Sequence, residues 1–572
     1  MAMRSKHQTR RDFLLTGGIA LSGLAASSRL LPQPPVPSTG PRGSAAKSFP
    51  APAGNQPLRG LMVDAGRVPE SLEYYRRVID FCADWEFNTL QFRLADDQGC
   101  AMRFASVSGL FFHQNAFAPE QLHQLAQYGR SRGVEVIPEL ESFGHTGYIT
   151  RSPAYAHLLD ADSQLSSEFT GVIPVHPETL ALFGKLYREI SEVFPSAFLH
   201  GGCDEVNWGG SSLSRHALQT RQRYEIWAEY LNSLHRIAES LGKQFIVWGD
   251  FVVHKEPRIL GRLNKKIVVM DWNYTETNSA KLQATLSTIR ANGSRAIGAP
   301  ALINYRWGPR AGTGQLANID AFADAYLAAA DAGSMGVILT NWVPSRYVQN
   351  SIWDGFAYAA VGFKEGSSVA RKSGFQRFVA NRYKTDWNSN WDQAFRLIYQ
   401  NAPQVARRTT ADGSVPLQVP WSSDEELIHV LNDRSSRPNP FTQLRGLLDE
   451  LEKQVKSNHS DFHAFSLSVA YLEHLYWREA VVVERSNHPF THEDSVSLIK
   501  DIAGRDRELA AALSEDWDQG RFPDSAAKLK PLFGMQPKDQ LVFQFQRAAD
   551  YSASLALQPD RFFRLLTGSK AA

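Results

Sequence analysis

The chain has 572 residues, 43% of them hydrophobic and 21% charged, which is the balance of a soluble globular protein too long for one ordinary domain. Its formal net charge at pH 7 is only +2, so the composition gives no electrostatic case for binding nucleic acid or an anionic membrane surface. The three cysteines lack Cys-x-x-Cys spacing, which excludes a disulfide framework and a cysteine-based zinc motif.

The N-terminal segment has the pattern of an export signal. Residues 9–14 (TRRDFL) form a twin-arginine pattern that leads into the apolar run LLTGGIALSGLAAS. This run is shorter than the ~20 apolar residues that cross a bilayer, and no later segment is long and apolar enough to do so. We therefore interpret residues 1–31 as a twin-arginine signal and expect a bacterial protein that is periplasmic or secreted, without a stable membrane span. Residues 32–57, rich in Pro, Gly, Ser and Ala, are interpreted as a flexible linker.

From about residue 58, short β-rich runs alternate with segments of helical periodicity. The runs are RGLMVD (59–64), NTLQFRL (88–94), VEVIPEL (134–140), AFLHGG (197–202), QFIVWGD (244–250), KIVVMDW (266–272), RAIGAPALI (295–303) and MGVILTNW (335–342). Between two of them, Phe183, Tyr187 and Ile190 fall on one helical face. Eight such units predict a (β/α)8 TIM barrel over residues 58–365. A doubly wound open sheet is the competing α/β architecture, but it does not require eight units, and no Gly-x-Gly-x-x-Gly motif follows the first run.

The β-rich runs end near residue 365. Beyond that point, Phe465, Val469, Leu472 and Tyr476 recur at helical spacing. We predict an α-helical C-terminal domain over residues 366–572, packed on or beside the barrel.

The ends of the eight runs carry the residues of chemical interest, because a barrel of this type builds its active site at the carboxyl ends of its strands. Each run ends in, or is closely followed by, an acid, an amide or a large aromatic residue. These are Asp64; Asp96 and Asp97; Glu139 and Glu141; Asp204 and Glu205; Trp248 and Asp250; Asp271 and Trp272; Asn304 and Tyr305; and Asn341 and Trp342. A carboxylate-rich, Trp-lined pocket is typical of carbohydrate hydrolysis, in which sugar rings stack on aromatic faces and an acid protonates the glycosidic oxygen.

Four motifs in chain order, RGLMVD, NTLQFRLADDQG, VIPELESFGHT and LHGGCDEV, resemble those of the family 20 glycoside hydrolases, the β-N-acetylhexosaminidases. The resemblance covers about residues 58 to 345. Its most specific element is a His-x-Gly-x-Asp-Glu core, here His200, Gly202, Asp204 and Glu205. The resemblance implies exo-acting hydrolysis of terminal β-linked N-acetylhexosamine (GlcNAc or GalNAc) from an oligosaccharide or glycoconjugate, without a cofactor or a metal.

The resemblance also implies roles for individual residues. In this family the substrate's own 2-acetamido oxygen attacks, so that hydrolysis is substrate-assisted and retaining. Asp204 would orient and polarise the acetamido group, and Glu205 would serve as general acid and base. The other implied residues are Asp96, His145 and His200 in a supporting network, and Arg59, Trp248, Trp272, Tyr305 and Trp342 in substrate binding. His200 is equally consistent with a core histidine.

Two positions depart from the family pattern. Pro344, two residues after Trp342, stands where an acid that binds a sugar hydroxyl is common, which leaves the GlcNAc or GalNAc preference open. Cys203 replaces a common glycine immediately before the acid pair, and because cysteine is small we expect little consequence.

Two alternative functions stay open from sequence. One is a metal-dependent barrel hydrolase with Asp96, His145, His200 and Asp204 as ligands, although the first run lacks a His-x-His motif. The other is a carbohydrate-binding protein with lost or altered catalysis. An intact pair of adjacent acids favours the hydrolase.

Overall fold

The computed structural model describes residues 56–160, 171–303, 310–329, 333–401, 407–410, 413–416, 420–433, 439–522 and 541–568. The twin-arginine segment, the linker up to residue 55 and Tyr305 lie outside the described residues. Within the described part of the chain, no helix combines the length and the apolar character needed to cross a membrane.

Eight parallel strands form a closed barrel, as the sequence predicts. In chain order, all the strands of the described residues are β1 (Leu58–Asp64), β2 (Thr89–Arg93), β3 (Ala95–Asp96), β4 (Gly99–Met102), β5 (Phe112–Phe117), β6 (Glu135–Glu139), β7 (Phe198–His200), β8 (Gln244–Trp248), β9 (Val268–Asp271), β10 (Arg295–Gly298), β11 (Ala301–Ile303), β12 (Ser334–Asn341), β13 (Arg407–Thr410) and β14 (Gly413–Pro416). The barrel order is β1-β2-β6-β7-β8-β9-β10-β12, and pairing of β12 with β1 closes it.

Helices surround the barrel and then make up most of the described chain that follows it. They are α1 (Leu72–Asp84), α2 (Pro119–Ser131), α3 (Gly147–Thr150), α4 (Pro177–Val193), α5 (Ser212–Leu218), α6 (Arg223–Ser240), α7 (Ser279–Ala291), α8 (Thr313–Phe322), α9 (Trp353–Glu365), α10 (Ser367–Phe378), α11 (Ser389–Asn401), α12 (Asp424–Asp433), α13 (Phe441–Glu452), α14 (His459–Asn487), α15 (His492–Gly520), α16 (Leu541–Ala556) and α17 (Pro559–Gly568). We refer to α10–α17 as the helical region. It belongs to the same compact unit as the barrel.

Local sequence explains where the barrel helices start and which face they bury. The Ser71 side chain accepts a hydrogen bond from the backbone of Tyr74 and caps α1. In α4, Pro177 occupies the first turn, where its missing N–H is tolerated. The predicted apolar face of α4 is buried, including Phe183 and Ile190.

Two parts of the sheet structure differ from the sequence-based expectation. The seventh run divides into β10 and β11, with Pro300 between them, because proline has no N–H to donate to the ladder. The strands β3, β4 and β5 form a separate three-stranded sheet after β2, and β13 pairs with β14 in a hairpin within the helical region. The strands of this sheet and of the hairpin are two to six residues long, too short to show a recognisable period in the sequence, which is why they were not expected.

Candidate active site

The register of the barrel places four polar residues side by side at its carboxyl end. Asp64 pairs with Arg93, Arg93 pairs with Glu139, and Glu139 pairs with His200. In a parallel sheet, paired positions direct their side chains to the same face. This polar row is the floor on which the loops that follow the strands are arranged.

Arg93 is the centre of the row and has no solvent exposure. Its guanidinium lies 2.5 Å from Glu139 Oε1, 2.5 Å from Glu141 Oε1 and 2.6 Å from Asp96 Oδ2. The second Glu141 oxygen accepts the backbone N–H of Cys203, the residue before the acid pair. Burial raises the pKa of Glu141 well above its ordinary value even though Arg93 opposes that shift. One buried cation thus ties three strand ends to the acid-pair loop.

Arg67, in the loop after β1, supplies a second cation. It lies 2.9 Å from Asp64 Oδ2 and 3.1 Å from Asp96 Oδ2. Its guanidinium carbon also lies 5.3 Å from the ring centre of Trp342, within cation–π range. Asp96 consequently has two arginines beside it. Burial favours its neutral form, but Arg67, His145 and Arg93 outweigh burial and hold its pKa well below the ordinary range.

His145 connects this charged floor to the acid pair. Its Nδ1 atom lies 3.3 Å from Asp96 Oδ1 and 3.4 Å from Asp97 Oδ2. Its Nε2 atom lies 3.3 Å from Glu205 Oε2 and 3.8 Å from Asp204 Oδ2. Burial favours the neutral imidazole, but the surrounding carboxylates prevail and raise the pKa of His145 well above its ordinary value. An imidazolium therefore lies between the two groups of acids.

The acid pair sits on a loop with unusual backbone conformations. After β7, Gly202, Cys203 and Glu205 have φ angles of 66°, 75° and 44°, in the left-handed region. The Glu205 N–H is held by a 3.2 Å hydrogen bond to Asp250 Oδ2, at the end of the next strand. A Cβ on Gly202 would overlap the Glu141 carboxylate, so only glycine fits there. The expectation that Cys203 matters little rested on its size, whereas the backbone conformation is what favours glycine at this position.

The two acids of the pair differ in environment. Asp204 is buried, whereas the Glu205 side chain exposes 35% of its surface. Burial, together with the charges of Glu205 and Glu139, raises the pKa of Asp204. Burial also favours neutral Glu205, but the hydrogen bond and charge of His145 outweigh it and lower the pKa of Glu205. In the free site, Glu205 is therefore the more readily ionised acid of the pair.

Aromatic residues form a continuous wall beside the acids. The Trp342 indole N–H donates to the Tyr274 hydroxyl at 2.8 Å, and Tyr274 stacks on Trp272 with ring centres 5.0 Å apart. Trp248 lies behind Trp342, with ring centres 5.8 Å apart, and exposes only 1% of its surface. Its indole N–H donates to Glu139 at 2.9 Å. Trp248 therefore supports the wall from inside the barrel and is not part of its face.

Three further sequence-based assignments concern Arg59, His200 and Tyr305. Arg59 is near the amino end of β1, and its side chain bonds the Glu86 carbonyl and the Gln56 side chain at the face opposite the acids. Because β1 runs from Arg59 toward the acids, Arg59 lies at the end of the strand that is far from the site. Its assignment to the site was wrong. His200 is fully buried, its ring centre lies 4.6 Å from that of Trp248 in a tilted arrangement, and its Nδ1 atom accepts the Gly202 N–H, contacts that favour the core alternative. The role of Tyr305 stays a prediction.

His145 also belongs to both groups of side chains that could hold a metal ion. Among the described residues, one group comprises Asp96, Asp97 and His145, and the other His145, Asp204 and Glu205. Within each group the candidate ligand atoms lie within 4.8 Å of one another. His200, a ligand in the metal-hydrolase alternative, belongs to neither group. A cation in either group would compete with the proton that His145 holds, because a metal needs the neutral imidazole.

The fold and the site together define a (β/α)8 barrel with an acid pair, a bridging histidine and an aromatic wall at the carboxyl ends of its strands. Residues 57–305 match the family model described as the catalytic domain of glycosyl hydrolase family 20. The matched residues include the acid pair but end before Trp342 and Pro344.

Curated relatives match part of this chain. The beta-hexosaminidase subunit beta of Rattus norvegicus is 29% identical over 211 residues, covering 34% of this chain and 38% of that protein. The beta-hexosaminidase of Vibrio furnissii is 28% identical over 250 residues, covering 37% of this chain and 39% of that protein. The chain thus spans less than two fifths of the length of these relatives. Among solved structures, Flavobacterium johnsoniae chitobiase is 15% identical with a TM-score of 0.46, over 78% of this chain and 74% of that chain.

Proposed function

We propose that the protein removes terminal β-linked N-acetylhexosamine, GlcNAc or GalNAc, from oligosaccharides or glycoconjugates by exo-acting hydrolysis. The observation that carries this proposal is the acid pair itself. Asp204 and Glu205 both approach His145 Nε2, at 3.8 Å and 3.3 Å, on the side of the barrel where active sites are built. Sequence similarity of residues 57–305 to hexosaminidase catalytic domains supports the same activity.

In the proposed first step, the substrate's 2-acetamido oxygen attacks the anomeric carbon as the bond to the leaving oxygen breaks. Asp204 accepts a hydrogen bond from the acetamide N–H and stabilises the positive charge of the oxazolinium ion that forms. Because the nucleophile belongs to the substrate, the protein needs to position it and needs no attacking carboxylate of its own. A buried acid with few competing hydrogen bonds suits that role, and Asp204 Oδ1 has no hydrogen-bond partner among the described residues.

Glu205 is the proposed proton donor to the leaving oxygen. It must be protonated for that step, whereas His145 favours its ionised form in the free site. A bound sugar would cover the exposed 35% of the Glu205 side chain, and the loss of water raises a carboxyl pKa. The resulting carboxylate then takes a proton from the water that opens the oxazolinium ion, which regenerates the acid and retains the anomeric configuration.

The test is release of an aryl group from the aryl β-N-acetylglucosaminide and its GalNAc counterpart, with the plain aryl β-glucoside alongside. We expect turnover of the acetamido sugars only, and its loss in Glu205→Gln. Turnover that a chelator abolishes and Zn²⁺ restores would instead support the metal-dependent hydrolase. Binding of GlcNAc by both parent and Glu205→Gln, with no turnover by either, would support a carbohydrate-binding protein.

We also propose export by the twin-arginine route, on the support of residues 9–14 and the apolar run after them. When the full chain is expressed, a form shortened by removal of the signal should appear in the periplasm or the medium. Arg10→Lys together with Arg11→Lys should retain it in the cytoplasm, and unchanged export of that variant would contradict the proposal.

A further inference from the structure

The end of α15 reaches two loops that border the candidate active site. Arg521 follows that helix, is buried, and packs over the Trp517 ring at 4.1 Å. Its Nε atom lies 2.9 Å from Glu70 Oε2, in the loop between β1 and α1. Its Nη2 group donates to the Pro344 carbonyl at 2.6 Å, in the segment after β12. One guanidinium from the helical region therefore binds the loops of the first and last barrel strands.

A second contact makes the same junction tight. Gln349, also in the segment after β12, donates to Glu70 Oε2 at 2.5 Å. A Cβ on Gly520 would lie 2.6 Å from Gln349 Oε1, which is closer than a methyl group allows. The helix end, the β1 loop and the β12 segment are thus in direct contact, and a side chain at position 520 would displace the Gln349 amide that binds Glu70.

The segment that Arg521 holds is conformationally strained. Val343, immediately before Pro344, has a φ of 53°, which is unfavourable for a β-branched residue and persists only when its surroundings fix it. Its N–H donates to Asp64 Oδ2 at 3.1 Å. The residue before it, Trp342, contributes the aromatic wall. Arg521 therefore anchors the backbone beside both a wall residue and a residue of the polar row.

A continuous series of contacts leads from there to the acid pair. Asp64 holds Arg67 at 2.9 Å, and Arg67 holds Asp96 at 3.1 Å. Asp96 lies against His145, whose Nε2 atom reaches Glu205 at 3.3 Å. Displacement of the β12 segment would release one hydrogen bond of Asp64 and loosen the first link of this series.

We infer that Arg521 is a positioning residue for the site, through which the helical region holds the loops after β1 and β12 in their working geometry. The helical region is then part of what makes the barrel competent. The kinetic part of this inference rests on the proposed function. The structural part does not.

The chain offers a matched control. Arg478, within the helical region, is also buried, also binds a buried carboxylate (Asp506, 2.9 Å) and a backbone carbonyl (Trp421, 2.7 Å), and also packs over a Trp ring. It touches neither site loop. Arg478→Met therefore measures the general effect of removing a buried arginine from the helical region. Any additional effect of Arg521→Met is then due to the site loops.

The experiment is hydrogen exchange on the full-length protein, followed by kinetics with the aryl β-N-acetylglucosaminide. We expect Arg521→Met, and not Arg478→Met, to speed exchange in peptides covering residues 64–70 and 341–349. We also expect kcat/KM to fall by about tenfold to a hundredfold in Arg521→Met alone, because small displacements at a remote contact misplace reacting groups. Arg521→Lys should recover part of the loss, since lysine can still pair with Glu70.

Equal exchange in the two loops for both variants, or a kcat/KM for Arg521→Met within about threefold of that for Arg478→Met, would overturn the inference. If Arg521→Met does not fold, Glu70→Gln removes the same ion pair and keeps the side-chain shape, with the same expected results. If the parent protein releases no aryl group, the proposed function fails, but the exchange comparison still decides whether Arg521 holds the loops.

Discussion

His145 Nε2 lies 3.3 Å from Glu205 Oε2, with the opposite ring nitrogen 3.3 Å from Asp96. The histidine is buried among carboxylates and its pKa is raised well above the ordinary value, so it carries a charge at neutral pH. His145 is the largest influence that lowers the pKa of Glu205, first through its hydrogen bond and then through its charge. The proton affinity of the proposed general acid is therefore set by a residue that does not react.

Replacing this histidine should change the pH dependence of activity. In His145→Gln the positive neighbour is lost, the pKa of Glu205 rises, and the basic limb of the kcat/KM profile should move to higher pH. The optimum kcat/KM should also fall by about tenfold or more, because Glu205 loses its hydrogen bond. The control is His474→Gln, which removes a similar buried His–carboxylate pair (2.7 Å from Asp506) far from the acid pair. A basic limb that stays in place in His145→Gln would show that Glu205 does not titrate in that limb.

The two acids should respond differently to the leaving group. A poor leaving group needs the proton of Glu205, so Glu205→Gln should lower kcat/KM by about 10²–10⁴ for an alkyl or sugar leaving group and much less for dinitrophenyl. Asp204→Asn should lower kcat/KM for good and poor leaving groups by a similar factor of about 10²–10³, because the oxazolinium charge forms with either leaving group. The measurement is a leaving-group series with both variants. An Asp204→Asn variant within a few-fold of the parent would contradict substrate assistance.

The two arginines associated with β1 provide a test of position. Arg67 binds Asp64 and Asp96 and faces Trp342, whereas Arg59 lies at the opposite end of the strand. Arg67→Met should lower kcat/KM by about tenfold to a hundredfold, the value of one or two charge-assisted hydrogen bonds. Arg59→Met should leave kcat/KM unchanged. Steady-state kinetics of both variants at one pH would measure the two effects. An effect of Arg59→Met equal to that of Arg67→Met would mean that Arg59 also contributes to the site.

His200 should make folding stability depend on pH. Burial lowers its pKa to about 4, from about 6.5 in an unfolded chain. Between these values the unfolded chain binds the proton and the folded chain does not, so stability falls as pH falls, by about 3 kcal/mol in total. His200→Asn, whose side-chain oxygen can still accept the Gly202 N–H, should flatten this part of the curve. Urea unfolding from pH 4 to pH 7.5 measures the free energy of unfolding at each pH. If its change with pH is the same in the variant, the pH dependence comes from another group.

Much of the barrel follows from simple patterns in the sequence. The eight apolar runs correspond to barrel strands within a few residues, because buried parallel strands need uninterrupted β-branched and apolar side chains. The sequence also singled out the acid pair and His145, and the structure brings both acids within 4 Å of His145 at the strand ends, although their catalytic roles stay predictions. The short sheet β3–β5 was not, because strands of two to six residues leave too little periodicity to recognise.

The residues of the site that the sequence analysis did not predict are two arginines and a tyrosine. Arg93 ends β2 and Arg67 follows β1 by three residues, so both stand where the strand-end argument applies. Neither is an acid, an amide or an aromatic residue, the types expected at the strand ends, yet a row of carboxylates cannot be buried without cations beside it. Tyr274 was missed because it follows Trp272 in a loop, where only the fold shows that its hydroxyl meets Trp342. Arg59 opens the first run and so lies at the amino end of its strand, and only the family resemblance assigned it to the site at the carboxyl end.

The bond between Val343 and Asp64 joins residues 279 positions apart, and the Arg521–Glu70 pair joins residues 451 positions apart. Contacts of such large sequence separation form late, because closing a long loop costs chain entropy before any contact compensates for it. During synthesis the first strand emerges early, yet its loop can reach its final geometry only after residue 521 has left the ribosome. A nascent or shortened chain that ends before α15 is completed would then carry both acids and still lack the surroundings that align them.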